Sequence, residues 1–212
     1  MGFLVQKLLP TLHPEQRLGV VGSGTALYSR QGAWDGSCAL HCAAMALATL
    51  GLLHDPSCLR SYTEGAEAEF WDRAWPHYLH GVTMSELSGV LAELRWGLRT
   101  ATAEGPHETV AYFCERELSE GWPVVVSLRQ SDESLCRAAL AIGLEGRTRG
   151  HHFKPNTMLM LDPDESERRL MTHNARLAYD QPDLPGQARY ITAYDRHTVV
   201  LEGALSIRTA RT

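Results

Sequence analysis

The chain has 212 residues, of which 44% are hydrophobic and 21% charged. This is enough apolar material for one sizeable core with at most a small appended subdomain. A formal net charge of −5 argues against a nucleic-acid binder, which needs a concentrated basic surface. Five cysteines with no CxxC pair argue against a disulfide framework or a zinc site and point to a reducing cytoplasm.

The N-terminal stretch Met1–Pro10 is apolar, but Lys7 and Pro10 interrupt it and it has no basic leading region. It reads as neither a signal peptide nor a membrane span, and Gln6 breaks the myristoylation pattern. Residues 1–30 are expected as a lead-in. The turn-rich segment Gln31-Gly-Ala-Trp-Asp-Gly-Ser37 then opens a helix from Cys38 to Leu53 that is apolar on nearly every side, as a buried helix is. Thr83-Met-Ser-Glu86 is a capping box starting a second helix, with Gly97 positioned to close it. A third helix is predicted from Pro106 to Glu120, stopped by Gly121.

The period then changes. Trp122–Leu128, Ala138–Ile142 and Thr157–Leu161 are short apolar runs bounded by Gly, Asp and Pro, and they predict interior strands. Further strands are expected around 169–178, 188–194 and 198–207. Helices first and strands second predict an α+β domain with a mainly antiparallel sheet.

Cys38 is the residue with the most chemistry around it. A thiolate at a helix start is favoured by the unpaired N–H groups and the macrodipole. A glutamine a few residues upstream, here Gln31, can offer its amide to the oxyanion of acyl transfer. Cys42, Cys58, Cys114 and Cys136 are expected to pack as small hydrophobes. Trp34 and Trp122 are expected either to wall a cleft or to pack in the core.

Taken in order, four landmarks resemble papain-like cysteine peptidases, closest to the bacterial branch that processes double-glycine leaders. They are Gln31…Cys38-Ala-Leu-His-Cys-Ala-Ala-Met-Ala-Leu47, Gly81-Val-Thr-Met-Ser-Glu-Leu87, Gly121-Trp-Pro-Val-Val-Val126, and the run ending at Gly143 followed by Met158-Leu-Met-Leu-Asp-Pro163. They cover residues 31–165, leaving 166–212 as a C-terminal β extension. The resemblance implies a papain-like fold, with the central cysteine helix packed on a mainly antiparallel sheet. It also implies a Cys38 nucleophile and Asp162 as the residue orienting a histidine base. The chain departs from that pattern at three places. The Gln31–Cys38 spacing is one residue longer, Ala39 replaces a glycine, and Arg137 occupies the position of the base.

Arginine keeps its proton and cannot serve as that base. His151 and His152, in a loop between two strands, and His197, ahead of a strand, are the candidate substitutes. His41, three residues after Cys38, is expected in the core or lining the cleft, and His77 and His80 at the surface. The leading functional expectation is a cysteine peptidase that cleaves a peptide or isopeptide bond through an acyl-enzyme, without metal or cofactor. One alternative is a degenerate peptidase-like domain that binds a peptide or leader segment, with Arg137 lining the cleft. The other is acyl transfer on the same fold. A peptide or protein partner is expected in all three.

Overall fold

In the computed structural model, residues 2–15, 17–22, 24–33, 36–57, 64–130 and 136–210 are described below. Trp34 and Cys58 lie outside them. Four α-helices form: α1 (Cys38–Thr49), α2 (Ala66–Ala74), α3 (Met84–Glu93) and α4 (His107–Ser119), with a 3₁₀ turn at Trp75–His77. The principal strands are β5 (Val124–Gln130), β6 (Cys136–Arg149), β7 (His152–Leu161), β8 (Ala175–Ala178), β9 (Ala188–Ile191) and β10 (Arg196–Arg208). Ahead of them come β1 (Phe3–Leu8), β2 (Leu12–Pro14), β3 (Leu18–Val20) and β4 (Arg99–Glu104).

Six strands close on themselves. Their order is β6-β5-β10-β9-β8-β7, and β7 pairs again with β6, all antiparallel. The structure is therefore mainly a closed antiparallel barrel with four short helices. It is not the papain-like α+β arrangement of a helix on a sheet that the sequence predicts. The physical reason lies in β6 and β10, which span 14 and 13 residues. Ladder register shifts between Ala141 and Gly143, between Glu145 and Gly146, and between Leu201 and Gly203. Such irregularities bend strands and increase twist, carrying the sheet round until its edges meet. Periodicity and element order do not report closure.

β1 joins outside the ring on β6, from Phe3 opposite Thr148 to Leu8 opposite Gly143. A Cβ at Gly143 would lie 2.4 Å from the Lys7 carbonyl oxygen, so the close approach of β1 requires glycine there. β4 likewise adds to β10, and β2 and β3 form a separate ribbon. The segment 166–212 supplies β8, β9 and β10, three of the six barrel strands.

α1 lies against β6 and β5, and every residue from Ala39 to Thr49 is buried, as its all-round apolar sequence predicts. The capping box forms at α3. The Glu86 N–H donates to Thr83 Oγ1 at 3.2 Å, and the Thr83 N–H donates to Glu86 Oε2 at 2.8 Å. Pro106 caps α4, and Gly121 follows it with φ +90°. Within α4, the fully buried Glu117 accepts from Arg116, from Ser206 Oγ at 2.8 Å and from Arg208 at 2.6 Å, fastening the helix to β10. Among the described residues, no helix is long and apolar enough to cross a membrane.

Candidate cysteine cleft

Cys38 is the first residue of α1, and its sulfur accepts the Ala138 backbone N–H at 3.4 Å. The contact falls near the start of β6, before β7 begins to pair at Leu140. β6 therefore presents an open edge to the helix terminus. At this junction opens a cleft of about 690 Å³, lined by Cys38, Met84, Ser127, Cys136, Arg137 and Glu202 among others. The loop before Cys38 meets the turn before α3 main chain to main chain. A Cβ at Gly36 would lie 2.8 Å from the Gly81 nitrogen, and Gly81 itself has φ +77°.

Asp162 follows the last residue of β7 and is fully buried. Its Oδ2 accepts from Arg137 Nη1 at 3.2 Å and from the Tyr190 hydroxyl at 2.7 Å, while Oδ1 accepts from the Asp164 N–H at 3.0 Å. Its main chain is also held. The N–H donates to Asn174 Oδ1 at 2.7 Å, and the carbonyl accepts from Asn174 Nδ2 at 2.8 Å and from the Tyr28 hydroxyl at 2.9 Å. Arg137 bridges to Asp164 as well, at 3.1 Å. Cys38, Arg137 and Asp162 thus come together from a helix start, a strand start and a strand end.

Burial raises the Cys38 thiol above the usual cysteine value, against the N–H donated by Ala138. The Asp162 charge adds to that rise, and the Arg137 charge opposes it. The thiolate expected at a helix start is therefore not favoured here, because desolvation outweighs the favourable field. Burial likewise raises the Asp162 carboxyl, with the Arg137 guanidinium and the Tyr190 hydroxyl pulling the other way.

The remaining expected residues are spread out. The Gln31 N–H donates to the Pro163 carbonyl at 3.1 Å, which sets Gln31 beside the Asp162–Pro163 corner. His152 opposes Arg149 at the far end of the β6–β7 hairpin, with His151 in its turn. β7 runs ten residues from His152 to Leu161, so roughly 30 Å of strand separates His152 from Asp162. His197 opposes Tyr190 in the β9–β10 ladder, and its Nε2 lies 3.9 Å from Asp195. His77, His80, His151, His152 and His197 make no hydrogen bond to the Cys38 sulfur. His41 is buried behind Cys38, with Nδ1 2.8 Å from Ser29 Oγ and its ring against Trp71 and Tyr78. Trp122 lies two residues ahead of β5, whereas the cleft residue Ser127 is the fourth residue of that strand. Cys42 and Cys114 are buried as expected, whereas Cys136 is exposed on the cleft and donates to Glu202 Oε2 at 3.1 Å.

Several cleft residues escape sequence reasoning. His77 and His80, expected simply at the surface, line the cleft. Glu104 and Glu202 do too, although nothing in their local sequence sets them apart. Tyr190 sits in a stretch readable as a strand, but only the closed barrel brings its hydroxyl to Asp162. Among the described residues, no group of three His, Cys, Asp or Glu side chains could hold a metal ion. A scan against family models finds no match, and no curated protein matches the chain.

Proposed function

We propose that the protein is a peptide-binding module that keeps a peptidase-like cleft around Cys38 and lacks the proton-transfer step. One observation carries this reading: Arg137, not a histidine, is the side chain paired with Asp162 beside the Cys38 sulfur. A guanidinium stays protonated at any ordinary pH. It can neither take the thiol proton nor return one to a leaving amine. The raised pKa of Cys38 argues the same way, since the neutral thiol is the weaker nucleophile. Hydrolysis and acyl transfer through an acyl-enzyme both need a proton acceptor at the sulfur, so binding ranks ahead of both. The size of the cleft suits a short peptide segment.

The test uses a randomised pool of acetylated decapeptides with the purified full chain and its Cys38→Ala variant. The expected result is equal retention of peptides by both proteins, with no cleavage product and no acyl adduct in mass spectra. Cleavage or an adduct that depends on Cys38 would overturn the reading in favour of the hydrolase. Failure of both proteins to retain any peptide would overturn peptide binding itself.

A further inference from the structure

We infer that the cleft takes its peptide as an extended strand along the outer edge of β4, and that Glu104 selects a lysine or arginine in that strand. The inference rests on the peptide-binding reading above and deepens it by naming the class of peptide.

The first observation is an open sheet edge that runs into the cleft. β4 pairs with β10 along its whole length, from Arg99 opposite Arg208 to Glu104 opposite Gly203. Among the described residues its main chain has no other hydrogen-bond partner. Alternate N–H and C=O groups on its outer side are therefore free to pair with an added strand. Glu104, the last residue of β4, lines the cleft, as does Gly203 beside it. Glu104 Cγ and Met84 Cγ flank Gly203, where a Cβ would lie in ordinary contact at 3.6 and 3.7 Å from them. The β4 strand thus ends at the cleft, with Glu104 at the junction.

The second observation is its charge. Among the described residues, Glu86, Glu104, Glu202 and Arg137 are the formally charged side chains lining the cleft. Three of these four already have partners. Arg137 is shared by Asp162 and Asp164, Glu202 pairs with Arg129, and Glu86 is held in the capping box. Glu104 makes no hydrogen bond or ion pair among the described residues, and it is exposed. Among the described residues an incoming cation therefore meets one free carboxylate, within a surplus of negative charge. An incoming carboxylate meets an arginine already engaged by two aspartates. Complementarity of this kind sets partner choice more than bulk affinity.

The experiment compares three fluorescently labelled acetylated octapeptides of one sequence with Lys, Glu or norleucine at a single central position. A fourth carries Lys with alternate backbone amides N-methylated. Binding is measured by anisotropy to the full chain and to Glu104→Gln, each at low and at physiological salt. The Lys peptide is expected to bind about tenfold tighter than the Glu peptide at low salt. In Glu104→Gln this ratio falls to about threefold or less, while the norleucine peptide binds both proteins equally. N-methylation is expected to weaken the Lys peptide at least about tenfold, because it removes strand pairing. An unchanged Lys-to-Glu ratio in Glu104→Gln would overturn the assignment of Glu104. Full binding of the N-methylated peptide would overturn the β4 edge as the docking site. If the peptides bind without regard to charge or methylation, this inference alone fails. If none binds, the peptide-binding reading fails with it.

Discussion

Two fully buried carboxylates, Glu117 and Asp162, each meet an arginine, yet they stand in opposite electrical surroundings. Glu117 has two arginines, Arg116 and Arg208, and a serine hydroxyl for one carboxylate. It ties α4 to β10 away from the cleft, and its surplus is positive. Asp162 shares the single Arg137 with Asp164, at the edge of a cleft, and the surplus there is negative. The difference separates a fastener from a site. A buried charge whose neighbours more than satisfy it holds elements together, whereas one left partly compensated beside open space biases what can enter that space.

Removing the fastener should have the largest effect. Glu117→Ala leaves two arginines and a buried hydroxyl without their partner and is expected to lower stability by about 3–5 kcal/mol, read from urea unfolding midpoints. A loss under about 1 kcal/mol would show that the two carboxylates do not differ as described.

Arg137→Met keeps most of the packing stem but strands the Asp162 charge. At neutral pH the expected loss is about 1–3 kcal/mol, which shrinks on acidification as Asp162 takes up a proton. A loss that stays constant from pH 7 to pH 4 would contradict the idea that Arg137 acts by compensating Asp162.

Asp162→Asn should have the smallest effect at neutral pH, within about 1 kcal/mol, because the amide oxygen can take the place of Oδ2 and accept from Tyr190, and the Asp164 N–H at Oδ1 loses its acceptor in exchange for a charge no longer buried. Its signature lies in the pH profile. A carboxyl whose value is raised on folding contributes stability that is full below its ordinary value and is lost as pH rises through the raised one. The parent protein should show that downward slope above the ordinary carboxyl range, and Asp162→Asn should lack it in parallel unfolding titrations.

The sequence carried those parts of the molecule that depend on local chemistry. The capping box at Thr83, the stop at Gly121 and the all-apolar α1 each follow from a few adjacent residues, and each forms. Cys38, Arg137 and Asp162 also come together, from a helix start, a strand start and the residue after a strand, in a fold other than the one their motif order predicts. Closure of the barrel depends on register shifts along β6 and β10, which leave no periodic trace. β1, β2, β3, α2 and β4 went unread for a related reason. β4 is Arg-Thr-Ala-Thr-Ala-Glu, without the apolar run that marks an interior strand. The change of Cys38 from a favoured thiolate to a half-buried, disfavoured one depends on how deeply the helix start is covered, which only packing decides.

The meeting of Gly36 and Gly81 sets a mechanical tolerance. Main chain rests on main chain, and even a methyl group at Gly36 would come within 2.8 Å of a backbone nitrogen. The gap beside Cys38 is therefore gauged by atoms common to every residue, not by side chains that can change rotamer. The jaw is fixed at that end, and any change in what the cleft accepts must be made along its opposite wall.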